Sequence, residues 1–86
     1  MTLLPEQCRG ARGLLDWTQE RLARLAGVSR STVRDFEAGR HVLHRSTEAL
    51  LIKTFEEAGV RLACHGRELG IWLSRRHRDD PHGLGR

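Results

Sequence analysis

The stretch from Gln19 to Gly39 constrains this chain more than any other. It holds two short apolar-periodic segments, 19–26 and 30–38, joined by Gly27-Val28-Ser29. In the first, Leu22 and Ala26 share a face at i, i+4, flanked by Ala23 and Leu25; in the second, Val33 and Phe36 share one at i, i+3. Thr18 and Ser29 stand where a side-chain oxygen caps each helix. Glu20, in the first turn of the earlier helix, complements its dipole. Gly27 and Gly39 stand where the helices must stop, and glycine tolerates the left-handed backbone of such stops. A loose amphipathic pair has no need of a small Ala23 at the crossing, a Gly27 in the turn and a Val28 plug behind it. Two helices locked at a fixed angle do.

The flanking segments extend this pair. Residues 5–15 read as a helix: Pro5 suits the first helical position, and Cys8, Ala11 and Leu15 follow the spacing of one buried face. Gly10 and Gly13 each weaken it by about 1 kcal/mol relative to Ala, so packing must hold it. Asp16-Trp17-Thr18 is a break, and 40–45 is a basic connector. Ser46 is the expected cap of a fourth helix reaching Ala58, with Leu51, Phe55 and Ala58 as its inner stripe and Gly59 as its stop. After Gly59 the period falls to two: Val60, Leu62 and Cys64 alternate with Arg61, Ala63 and His65. His65 to Glu68 reads as a turn and 70–75 as a second strand. The expected fold is mainly α, with four helices and a C-terminal β-hairpin. Residues 1–59 form the helical domain, 60–75 the hairpin and 76–86 a flexible basic tail. Leu14, Leu15, Trp17, Leu22, Leu25, Leu51 and Phe55 are the expected core.

Residues 17–39 resemble the XRE family of helix-turn-helix proteins, the group that includes phage lambda repressor and Cro. The resemblance extends over about residues 5–60. It departs from the usual pattern at Leu4, where a capping Ser or Thr often precedes the proline, so a frayed N-terminus is expected. It departs again at Leu43, which replaces a common connector proline. The resemblance implies a lambda-repressor-like four-helix domain whose third helix enters the major groove of double-stranded DNA. It also implies a transcriptional regulator, most often a repressor, that dimerises on a palindromic operator.

The residue chemistry agrees. With Val33 and Phe36 turned inward, Arg30, Ser31, Arg34 and Asp35 face outward. Arginine bonds guanine O6 and N7 together, and serine bonds either kind of base edge. Thr32 offers a methyl to thymine or a hydroxyl to a phosphate. By resemblance, Gln19 contacts a phosphate at the start of the second helix, where unpaired N–H groups attract anions. Arg40 and His41 follow the third helix and are placed to straddle the phosphate backbone; a hydrated loop is the alternative. Glu37 is expected to face away from DNA and to pair with an arginine.

Composition bounds what else the chain does. It has 86 residues, 15 Lys and Arg against 11 Asp and Glu, and a formal charge of +4; Lys53 is the sole lysine. One small domain is expected, with a thin core that a second subunit would supplement. Val60, Leu62, Ile71, Trp72 and Leu73 of the hairpin are the candidate dimer surface. No run approaches a membrane span and no leader pattern opens the chain, so a cytoplasmic, nucleoid-associated protein is expected. Tyrosine is absent, which leaves little aromatic surface for stacking single-stranded bases. No nucleophile–base pair, carboxylate dyad or phosphate loop is present, and an enzyme is not expected. Cys8 and Cys64 form no CxxC pair, and Cys64-His65 with His77 or His82 matches no zinc spacing, so no metal or other cofactor is expected. Cys8 is expected as a small apolar residue. A second reading is an antitoxin whose hairpin and tail bind a toxin partner while the same domain binds DNA.

Overall fold

The structure, a computed structural model, describes residues 2–74. Among these it has four helices followed by an antiparallel hairpin: α1 (Pro5–Leu15), α2 (Gln19–Ala26), α3 (Arg30–Glu37), α4 (Arg45–Glu57), β1 (Val60–His65) and β2 (Glu68–Leu73). The expected fold class is the one observed. The tail at 76–86, Arg75 and the histidines 77 and 82 lie outside the described residues.

The central helix pair forms as its sequence dictates. Thr18 Oγ1 accepts the Arg21 N–H at 3.0 Å, and Ser29 Oγ accepts the Thr32 N–H at 3.1 Å. Gly27 is left-handed at φ 75°, which lets the Val28 N–H reach back to the Ala23 carbonyl at 2.9 Å. Helix α3 ends at Glu37, a residue before the expected Ala38, which caps it; Gly39 follows with φ 76°.

Other boundaries depart further from the sequence reading. The N-terminus is tied down rather than frayed: Leu4 has no side-chain oxygen to cap α1, but the Leu4 N–H donates to Gln7 Oε1 at 3.1 Å and the Leu3 N–H to Glu48 Oε2 at 2.9 Å. Helix α4 starts at Arg45, with His44 in the cap position, and Ser46 therefore sits in the first turn rather than capping it. Leu43 packs against the core just before and leads the chain into the helix. The hairpin turn is only Gly66-Arg67, so β2 begins at Glu68 and ends at Leu73. Gly66 has φ 62° at the first central position, the requirement of a type II′ hairpin.

The core joins all four helices to the hairpin. Cys8, Ala11, Leu22, Val33, Leu51, Phe55 and Val60 are buried, and Trp17 stacks on Phe55 with ring centroids 6.2 Å apart. Leu14 and Leu25, expected in the core, are 41% and 50% exposed. Each lies a residue away from a position that the helical period does bury, Leu15 and Ala26.

The hairpin register places Val60 opposite Leu73 and Leu62 opposite Ile71. These four side chains pack against the chain's own core. An isolated two-stranded hairpin is marginal in water, and here α1 supplies its support. Ile71 lies on Gly10 so closely that a Cβ there would come within 2.5 Å of Ile71 Cδ1. Gln7 Nε2 donates to the Ala63 carbonyl at 3.0 Å. Gly10 thus weakens α1 locally and seats the hairpin. On the opposite face Trp72, 48% exposed, lies over Gly70, and the Arg61 guanidinium sits 4.9 Å from its ring centroid.

Candidate nucleic-acid interface

Helix α3 has two chemically distinct faces. Val33 and Phe36 are buried in the core, which fixes the roll of the helix. Arg30, Ser31 and Arg34 are exposed on the other side, while Thr32 and Asp35 are half-buried at its edge. The Ser29 hydroxyl lies 3.2 Å from Ser31 Oγ and 2.7 Å from Thr32 Oγ1. The start of α3 therefore presents three clustered hydroxyls. Arg34 extends along the surface, its Nε donating to Asp35 Oδ1 at 3.2 Å.

The connector after α3 flanks this face. Arg40 and His41 are both exposed. The Arg40 N–H donates to the Asp35 carbonyl at 2.8 Å, which ties the start of the connector to the helix. His41, Val42, His44 and Thr47 line a shallow groove with Ser31, Thr32 and Asp35. The structure thus gathers Ser31, Thr32 and His41 along one groove, with Arg30, Arg34 and Arg40 exposed on the same helix and just beyond it. His44 and Thr47 join them, and the sequence pattern gave no signal for either.

A buried polar cluster holds α3 at its inner end. The Glu37 side chain is 2% exposed. Its Oε1 accepts from Arg12 Nη2 at 2.7 Å and its Oε2 from Arg12 Nε at 2.8 Å, a bidentate pair. Arg12 Nη1 donates to the Trp17 carbonyl at 2.9 Å, and Arg9 Nη1 to the Glu37 carbonyl. Gln19 Nε2 donates to Glu37 Oε1 at 3.0 Å. This one carboxylate therefore ties α1, the start of α2 and the end of α3 together. The expected pairing of Glu37 with an arginine is present, and the partner is Arg12, distant in sequence. Gln19, expected at a phosphate, directs its amide donor into this cluster, on a half-buried side chain.

The electrostatics of the cluster follow from its packing. Burial opposes the Glu37 charge, but hydrogen bonds from Arg12, Cys8 and Gln19 outweigh it and hold the carboxyl below its ordinary range. The hydrogen bond to Glu37 raises the Arg12 guanidinium above its ordinary value, against the opposing effect of burial. Burial pushes the Cys8 thiol up, and its bond to Glu37 adds to that. Cys8 is thus a protonated, inaccessible thiol with a structural role.

No group of three or more metal-ligating side chains converges among the described residues. No described helix is long and apolar enough to cross a membrane.

A comparison with curated proteins gives no match. A family model described as a helix-turn-helix domain matches residues 6–55, from the first turn of α1 to Phe55 in α4. That span is more than half of the chain and holds every element that positions the exposed face of α3. The chain belongs to the helix-turn-helix domain family of DNA-binding proteins.

Proposed function

We propose that the protein is a sequence-specific binder of double-stranded DNA that regulates transcription in the cytoplasm, acting as a repressor by occluding a promoter. The observation that carries this reading is the exposed face of α3, with Arg30, Ser31 and Arg34 on a helix whose opposite face is locked into the core. Arg30 and Arg34 read guanine, Ser31 and Thr32 reach base edges or the adjoining phosphate, and Arg40 and His41 engage the backbone. At Gln19 the phosphate contact falls to the backbone N–H groups that open α2, because the side-chain amide donates to Glu37.

One recognition helix reads few base pairs, each worth about 1–3 kcal/mol. A homodimer on a palindromic operator multiplies that discrimination. The candidate surface is the outer face of the hairpin around Trp72, since Val60, Leu62, Ile71 and Leu73 pack on the chain's own core.

Selection of bound sites from random duplex DNA tests the reading. A repeated motif with half-sites about one helical turn apart is expected. A pool that stays random after several rounds would remove sequence-specific regulation. Sedimentation as a monomer at tens of micromolar, with and without the selected duplex, would remove the dimer.

A further inference from the structure

The outward side of α3 carries an acid that direct base reading by arginine does not require. Asp35 is the one carboxylate of α3 outside the core, since Glu37 is buried. A carboxylate on a surface that meets phosphates repels them, so affinity alone favours a neutral residue there.

Its surroundings give it a task. Asp35 Oδ1 accepts the Nε–H of Arg34 at 3.2 Å, with the Asp35 side chain 22% and the Arg34 side chain 51% exposed. Neighbouring residues do not face each other on a helix, so Arg34 must bend along the surface to make this bond. The Asp35 backbone is held in turn by the Arg40 N–H, and its side chain lines the groove shared with Ser31, Thr32 and His41. The carboxylate is therefore the more buried partner, on a backbone tied to the connector, and the arginine is the more exposed one. A guanidinium is planar. Holding its Nε restricts the plane and leaves both Nη groups on the free edge, the edge that matches guanine O6 and N7.

We infer that Asp35 is a positioning residue for base recognition: it orients the Arg34 guanidinium so that its two Nη groups meet one guanine. The inference rests on the DNA-binding reading and adds to it where selectivity at one base pair comes from. Holding the side chain before binding reduces the ordering cost of the contact. The bond also discourages Arg34 from settling on a phosphate instead.

The test uses the full chain and the duplex that it selects. Affinities are measured for the wild type, Asp35→Ala, Asp35→Asn, Arg34→Ala and the Arg34→Ala/Asp35→Ala double variant. The duplexes are the selected site, its variants at the base pair whose preference Arg34→Ala relaxes, and a random sequence. Circular dichroism melting confirms that each variant is folded. Asp35→Ala is expected to bind the selected site about tenfold more weakly, within the range a bidentate base contact discriminates. It should also lose the guanine preference at that one position, while binding random DNA equally or more tightly. Asp35→Asn keeps an oxygen acceptor and should retain most of the preference. In the Arg34→Ala background, removing Asp35 should change nothing further.

Unchanged guanine preference in Asp35→Ala would overturn the inference. So would an equal loss with and without Arg34, the result expected if the carboxylate accepted a base amine directly. Both outcomes leave the proposed function standing, whereas a wild-type chain that does not distinguish its selected site from random DNA removes the proposed function itself.

Discussion

Two acids two residues apart on α3, Asp35 and Glu37, both bond an arginine, and the comparison separates the two tasks of the helix. Glu37 is sealed: its side chain is 2% exposed, and Arg12, Gln19 and Cys8 all donate to it. Asp35 stands at the surface with Arg34, and a surface pair of this kind adds little to stability. The buried pair fixes where α3 lies relative to α1 and α2. The surface pair leaves the Nη groups of Arg34 free of Asp35. On the proposed reading α3 needs both, because base reading is useful only from a helix whose position is already set.

The largest way to break this division is to empty the inner face. Phe36→Ala removes a buried ring and should cost about 3–5 kcal/mol of folding stability, read by urea denaturation. Binding to any duplex should fall only as far as the folded fraction falls.

Next comes the clamp. Arg12→Ala strands the buried Glu37 carboxylate and should cost about 3 kcal/mol, the lower end for a broken buried pair because Gln19 and Cys8 still donate. Its pH dependence follows from linkage. The folded Glu37 carboxyl lies below its ordinary value of 4.5, so its contribution is complete above that pH and is lost as the pH falls through the folded value. Without Arg12, burial dominates and protonation favours the fold. The stability gap between wild type and Arg12→Ala should therefore narrow as the solution is acidified below pH 4.5. A gap that stays constant with pH would show that Glu37 is not the group responsible.

The outer face should behave in the opposite way. Arg34→Ala should leave stability within about 0.5 kcal/mol. It should cost about 1–3 kcal/mol on the selected site and relax one base position. Equal losses on selected and random DNA would demote Arg34 to a phosphate contact. The smallest effect belongs to Arg40→Ala, which should weaken all duplexes alike and make the slope of log affinity against log salt shallower by about one.

Much of the fold was legible because its determinants are local. The caps Thr18 and Ser29, the stop at Gly27 and the inward pair Val33 and Phe36 act within a few residues, and α2 lies where they imply. The hairpin was legible from its alternation. Its boundary slipped because the polar Glu68 resembles a turn residue, while the left-handed Gly66 allows a turn of two residues. The N-terminus was misjudged because its support comes from Glu48, forty-five residues away. Leu14 and Leu25 were misplaced because being apolar does not say on which side of the buried stripe a residue falls.

The candidate interface divides in the same way. The outward residues of α3 could be named from helical period alone, once the inward pair was known. The destination of the Gln19 amide, the choice of Arg12 as partner for Glu37, and the seating of Ile71 on Gly10 could not.

By itself the sequence determined the elements, the caps of α2 and α3 and the exposed face of α3, because period and capping are properties of the chain over one or two turns. Only the tertiary structure decided which charges are buried and which side of the hairpin is covered. A hydrogen bond between residues 12 and 37, or a glycine at position 10 beneath an isoleucine at position 71, exists only when packing brings distant segments into contact.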